Sequence, residues 1–394
     1  MPARTRKRIK TASKHTSSLL ITIFVLLFVG LLLVYDSTMF YSQDVYGSPY
    51  KFAFLQLAWV GLGLLGFFVF FKVHYKKWLK LSAFFFIATL VFLAILAFFG
   101  LITFQFKFIE CFANMPFVPC INGAYRWFLI NSAPFPEIPF IGVLSFQPAE
   151  LAKFSMVLYL AALLSKYEDF RYFLFPAGLV FGLILLQPNM STASLIFLIS
   201  LSIYFASGAP LKPLFILGPV FALLLFSAIM LSPYRRDRFV TLIKGSSTRE
   251  ESLSTGYHKR QILISLGSGG WFGLGIGQSR QKYQYLPEVA ADSIFAILGE
   301  EVGFIGAALF VVGFSYLVYQ GYRIGIEAPD TFSRLLAVGV TSWLGLQFLI
   351  NVAAMTQLIP LTGIPIPLVS YGGSSMIFTL CGLGILANVS RYSG

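Results

Sequence analysis

The chain is poor in the residues from which most soluble active sites are built. Only 11% of its 394 residues are charged, and it holds three histidines and three cysteines. Three cysteines are too few for a disulfide framework or a Cys-rich metal site. The histidines, His15, His74 and His258, are dispersed and supply no metal constellation, and no Ser/His/Asp arrangement can be argued from their positions. The glycine-rich stretch "GSGGWFGLGIG" (267–277) has neither a following Lys-Ser/Thr nor a strand-turn-helix setting, which argues against a nucleotide P-loop. The net charge of +13 comes from basic residues lying between apolar runs, not from a stripe on one soluble face, so it does not point to nucleic acid.

What the chain has is hydrocarbon: 57% hydrophobic residues, 43 of them Phe. Repeated apolar runs are long enough to cross a membrane core of roughly 30 Å as helices, whose backbone groups bond internally. An all-α polytopic membrane protein is expected, with about ten spans near 18–35, 53–71, 81–103, 148–165, 173–187, 190–207, 213–232, 293–319, 335–357 and 368–388. The basic segment 1–17, "MPARTRKRIKTASKHTS", precedes the first span and sets it inside by the positive-inside rule. The first run is longer than a signal-peptide core and ends without a small-residue cleavage site, so a retained helix is expected. Short connections such as "KVHYKKWLK" and "SKYEDFRY" then fall on the same side as both termini. The remaining 18–394 reads as one transmembrane domain. Its long outer loop, about 233–290, lies between the seventh and eighth spans. Cys111 and Cys120 share another outer loop, where an oxidising compartment permits a disulfide, while Cys381 in the last span reads as packing.

The loop 233–290 breaks the charge rule with a concentration of cations that includes Arg235, Arg238, Arg260, Arg280 and Lys282. Long loops cross regardless of charge, but the cations need a reason. Contact with anionic lipid headgroups is one. A site for a membrane-bound polyanion such as a lipid diphosphate is the other, because Arg forks suit phosphate geometry.

Acids mark the start of the eighth span: Glu288, Asp292, Glu300 and Glu301 in "YLPEVAADSIFAILGEEVG". Asp292 has two readings. A carboxylate in a first helical turn meets the positive end of the macrodipole. Equally, an acid at the edge of hydrocarbon is partly desolvated and suited to act as a general base for a hydroxyl. Glu300 and Glu301 lie roughly 12–14 Å further along the helix, at 1.5 Å per residue, where an ionisable group usually faces the bundle interior with a partner. Lys153, three residues after Glu150 in the fourth span, is the expected partner, giving a structural ion pair. Gly299 and Gly303 form a small-xxx-small spacing that permits close packing. The amides of 267–277 are expected in a re-entrant or interfacial turn able to contact phosphate. "GIPIPLVSYGGSS" (363–375) joins Pro-rich irregular backbone to a helix start and is expected to line a cavity. No internal or inverted repeat is visible. These residues describe an outward, cationic, acid-containing cavity. Either an enzyme acting on lipid-linked substrates or a transporter of them fits it.

Several long motifs, in order, resemble those of the SEDS family (shape, elongation, division and sporulation). They are "GAYRWF" (123–128), "FQPAELAK" (146–153), "QPNMSTA" (187–193), "PYRRDR" (233–238), the run 267–306 and "PLTGIPIPLVSYGGSS" (360–375). "GQSRQKYQYLPE" and the closing "ANVSRY" lean toward the FtsW division branch over the RodA elongation branch. The resemblance implies a peptidoglycan glycosyltransferase that joins lipid II outside the cytoplasmic membrane and releases undecaprenyl diphosphate. It implies Asp292 as the acid essential for polymerisation, Lys153 as the fourth-span cavity lysine, and Arg235, Arg238, Arg260 and Arg280 on the diphosphate. Glu288, Ser374 and Ser375 are further substrate-site expectations, and Glu150, Glu300 and Glu301 intramembrane pairing groups. A divalent ion, Mg or Mn, is expected to assist the leaving group. A class B penicillin-binding protein and other divisome membrane proteins are the expected partners.

The chain departs from the family at Ala290 and Ala291, where His-Thr is frequent, at Ser293, where an aromatic is frequent, and at Asn189, where Asp is frequent. The first pair counts against a histidine-assisted mechanism, and Asn189 is not expected to be a base or metal ligand. A lipid II flippase and a divisome scaffold with a degenerate site are the alternatives.

Overall fold

A computed structural model describes residues 3–105, 117–121, 123–132, 143–230, 255–283, 286 and 289–393. It is an all-α polytopic membrane protein. Helices α1 (Ala3–Tyr46), α2 (Lys51–Lys72) and α3 (Tyr75–Gln105) lead into two short antiparallel ladders. Strands β1 (Cys120–Ile121) and β2 (Ala124–Tyr125) form the first, and β3 (Phe128–Leu129) with β4 (Ser145–Phe146) the second. Helices α4 (Pro148–Leu164), α5 (Arg171–Leu185), α6 (Met190–Ser207) and α7 (Lys212–Met230) follow. Beyond the long loop come α8 (Thr255–Ser268), α9 (Ile294–Ile326), α10 (Thr331–Met355) and α11 (Gly373–Ser390). Every apolar run of the sequence coincides with one of α1–α7 or α9–α11. Among the described residues seven helices are long and apolar enough to cross a membrane unaided. Of the others, α5 has only 15 residues and α4 carries Glu150 and Lys153.

Burial sorts the helices as a bilayer solvent requires. α4 is buried along almost its whole length, whereas α2, α3 and α7 turn Phe54, Phe84, Phe215 and Ile216 outward. The last helix packs on α2 through small residues. A Cβ on Gly66 would stand 2.6 Å from Cys381 Sγ, so the free, buried Cys381 is packing as expected. Cys120 is disulfide-bonded, and Cys111, the third cysteine of the chain, lies outside the described residues.

Helix α8 was not apparent as a span, being too polar and short. Its buried positions Ile262, Ser265 and Gly269, with half-buried His258, follow a helical spacing and form the face that meets α9. Just beyond it, part of the glycine-rich segment joins a broken helix. Gly303 interrupts α9 at φ 65°, ψ −170°, backbone reserved for glycine. The break leaves carbonyls on one side and N–H groups on the other without helical partners. Leu274 and Gly275 donate their N–H groups to the carbonyls of Glu300 and Glu301, both at 3.0 Å. Phe304 and Ile305 donate theirs to the carbonyls of Gly270 and Trp271 at 2.8 and 3.2 Å. The amides of Leu274 and Gly275 are thereby committed to splicing a broken helix, which removes these two from the set expected to meet phosphate. Gly299 and Gly303 do permit close packing, the first against Leu266 of α8 and the second against Phe272 and Gly273 of this segment.

At Gly303 an added Cβ would collide with backbone of Phe272 and Gly273, on top of the forbidden φ. Gly303→Ala is therefore expected to destabilise the protein by about 2 kcal/mol or more, lowering its melting temperature in detergent. Gly313→Ala, with open space around it, is expected to leave the midpoint within a degree or two of wild type.

Candidate active site

Asp292 ends the loop that enters α9 and is only 7% exposed. Its main-chain carbonyl accepts a hydrogen bond from Asn351 Nδ2 at 2.8 Å. The same amide donates to the carbonyl of Ile364 at 2.7 Å, so one side chain of α10 ties Asp292 to the irregular segment 363–371. A Cβ at Gly363 would stand 3.9 Å from Asp292 Oδ2, which puts the carboxylate against that segment's backbone. One turn earlier on α10, Gln347 donates from Nε2 to the carbonyl of Pro365 at 2.8 Å. From α2, Gln56 Nε2 reaches the carbonyl of Ser370 at 3.3 Å, and Tyr371 N–H donates to the carbonyl of Ala290 at 2.8 Å. Irregular backbone at this depth thus finds its partners in buried amide side chains, as a site without bulk water demands.

Asn351 and Gln347 were missed in the sequence. Their signal was Trp343, Gln347 and Asn351 at i, i+4 and i+8, a polar seam along one face of an otherwise apolar span.

The deep acids have different partners from those expected. Lys153 does not reach Glu300 or Glu301: its ammonium lies 2.7 Å from Glu150 on its own helix, donates to Gln347 Oε1 at 2.8 Å and faces the Trp343 ring at 5.5 Å. The i, i+3 spacing makes the local acid the nearer one. Glu301 instead meets Lys282 at 3.0 Å, and the same ammonium lies 2.8 Å from Asp36 of α1. Lys282, counted in sequence with the loop cations, is therefore a buried clasp between α1, the glycine-rich loop and α9. Burial alone would lower its pKa, but its bonds to Asp36 and Glu301 and their charges raise it above the ordinary lysine value. Among the described residues no lysine pairs with Glu300. Ser279 Oγ donates to it at 2.6 Å and the N–H of Arg280 at 3.1 Å, while Ser265 Oγ, which also faces the Ala296 carbonyl at 2.9 Å, lies 3.1 Å away. Depth along the helix does not isolate these acids, because the loop descends beside α9 and brings donors to them.

The remaining expected site residues scatter. Arg260 and Arg280 are exposed. Ser374 is buried, accepting from Gln147 N–H at 3.1 Å and donating to the Ser145 carbonyl at 3.3 Å, while Ser375 is half-buried. Arg235, Arg238 and Glu288 lie outside the described residues. Asn189 is the N-cap of α6, its side chain accepting from Thr192 N–H, a role that needs no charge. Among the described residues no group of three or more His, Cys, Asp or Glu stands together as a metal ligand set. A histidine does approach Asp292 despite Ala290 and Ala291: His258 Nε2 lies 2.8 Å from Ser293 Oγ, and Ser293 donates to Asp292 Oδ1 at 3.3 Å.

Two substitutions test these assignments by thermal unfolding in detergent. Lys282→Ala leaves two carboxylates at the clasp and is expected to cost about 3–5 kcal/mol. Asn351→Leu strands two buried carbonyls and is expected to cost about 2 kcal/mol or more.

Residues 17–394 match the family model for FtsW, RodA and SpoVE, described as cell cycle protein. The chain is 34% identical to stage V sporulation protein E of Bacillus subtilis, over 97% of this chain and 99% of that protein. It is 32% identical to a probable peptidoglycan glycosyltransferase FtsW of Coxiella burnetii, covering 93% of each. In three dimensions it resembles a chain solved in a study of how a peptidoglycan synthase complex coordinates polymerization and crosslinking. That likeness has a TM-score of 0.73 and 25% identity, with 95% of this chain and 97% of the other covered. The match over nearly the whole chain, together with the SEDS motifs around Asp292, makes this protein a member of the FtsW/RodA/SpoVE family.

Proposed function

We propose that the protein is a peptidoglycan glycosyltransferase of the FtsW type. In this reading it polymerises lipid II on the outer face of the bacterial cytoplasmic membrane during septal wall synthesis. The observation that carries the reading is Asp292: a nearly buried carboxylate at a helix start, its carbonyl anchored by Asn351 and its Oδ2 turned to Gly363. A carboxylate held in this way takes a proton from a hydroxyl lodged beside it. Asp292 removes the proton of the acceptor sugar's 4-hydroxyl as that oxygen attacks the anomeric carbon of the donor. The anomeric C–O bond breaks, and undecaprenyl diphosphate leaves with the electron pair.

The leaving group needs its charge stabilised, for which Arg forks are well shaped. Arg260 and Arg280, both exposed, are proposed for that role, along with Arg235 and Arg238. Lys153 is proposed to act from behind, its charge shared with Glu150. A divalent cation, Mg or Mn, would arrive with the diphosphate itself, since among the described residues no protein ligand set stands ready; no step above is routed through it. The chain holds no Ser-x-x-Lys plus Lys-Thr-Gly module, so crosslinking falls to a partner. A class B penicillin-binding protein is proposed, supported by the likeness to a chain from a synthase complex. The basic N-terminus and an even number of apolar runs, ten in the sequence, are the support for placing both termini in the cytoplasm.

Purified protein with its partner and labelled lipid II is expected to yield glycan polymer. Asp292→Asn is expected to reduce the rate at least about 100-fold, the lower bound for losing a general base. Wild-type polymerisation by that variant would sink the base. Headgroup translocation in sealed vesicles without any polymer would favour the flippase instead.

A further inference from the structure

His258 is the residue this site adds to its sequence reading, and its placement is not an accident of a loose loop. It lies on the buried face of α8 that continues through Ile262 and Ser265. Ser265 is itself bonded to the carbonyl of Ala296 at 2.9 Å, one turn into α9. Next to His258, the carbonyl of Lys259 accepts from Gln357 Nε2 at 3.0 Å, which fastens α8 to the end of α10. The imidazole is thus delivered to Ser293 by a helix tied at two points.

The donor directions follow from proton counting. A serine hydroxyl has one proton. With that of Ser293 directed to Asp292 Oδ1 at 3.3 Å, the 2.8 Å contact with His258 is served by the tautomer whose Nε2–H donates to Ser293 Oγ. Both bonds then point the same way, toward the carboxylate. A chain so arranged holds Oδ1 in place, with Oδ2 turned to Gly363.

We infer that His258 is a positioning residue for the glycosyl transfer, acting on Asp292 through the Ser293 hydroxyl to hold the carboxylate oriented before the acceptor sugar arrives. This rests on Asp292 being the base. His258 is not required to touch substrate, so its removal acts on turnover and not on lipid II binding.

The test is a set of variants in the lipid II polymerisation assay, each checked for its melting temperature. His258→Ala and Ser293→Ala are each expected to lower kcat about tenfold at unchanged KM, the worth of one hydrogen bond to a charged group. The double variant is expected to be no worse than the poorer single, because both break one chain. His258→Gln, whose amide can donate in place of Nε2–H, is expected to recover most of the loss. Wild-type kcat in His258→Ala, multiplied losses in the double variant, a loss confined to KM, or no recovery by Gln would each overturn the inference. Should His258→Ala fail to fold, Ser293→Ala decides alone, and an unchanged kcat there refutes the chain. Asp292→Asn in the same assay separates the two readings. If it is inactive while the His258 and Ser293 variants match wild type, only the positioning role falls; if it is active, the base falls and takes the positioning role with it.

Discussion

Backbone groups that cannot reach water govern this molecule. In hydrocarbon an unpaired N–H or carbonyl costs several kcal/mol, and the chain breaks regular structure at two places where that cost would fall due. At Gly303 the glycine-rich segment supplies two N–H groups and two carbonyls to the broken ends of α9. Along 363–371 the amides of Gln56, Gln347 and Asn351 do the same for an irregular strand of chain. Both repairs bear on the first part of α9, one at its entry and one at the break by Gly303. The segment that splices the helix also carries Ser279, Arg280 and Lys282 to Glu300 and Glu301, and the amide that satisfies Ile364 also grips Asp292.

Buried charge is handled by the same economy. Lys153 answers Glu150, and Lys282 answers both Asp36 and Glu301. Such pairs are weak sources of net stability but costly to break from one side. The first lies within α4 and leaves Lys153 to donate across to Gln347 of α10, while the second fixes α1 against the loop and α9. Arg260 and Arg280, which are exposed, are the cations proposed to meet a substrate. The contrast between Lys282 and these two arginines suits their chemistry, since a compact ammonium can be enclosed by two carboxylates while a guanidinium fork matches phosphate oxygens.

Much of the architecture was legible in the chain. Each apolar run coincides with a helix because a segment with no water to bond must close its own hydrogen bonds, and the length of the run states where. Asp292 was legible from composition only as an acid with two readings, a helix-capping charge or a base, and the resemblance of the surrounding motifs chose between them. Helix α8 was not, for its apolar face is short and interrupted by "HKR", and only packing on α9 reveals the spacing of His258, Ile262 and Ser265. The partner of Glu301 was misread for a related reason: Lys153 is the conspicuous cation inside a span, whereas Lys282 is hidden in a loop among other cations.

The sequence by itself determined the solvent, the class of fold and the helices, because these follow from local composition and spacing, while the acid on which the proposed chemistry turns was singled out by the resemblance of its motifs. Tertiary structure alone decided which cation meets which acid, which amides close the irregular backbone, and that His258 comes to Ser293. Those choices join residues as far apart in sequence as Asp36 and Lys282, and no local pattern records the distance between them once the helices have packed.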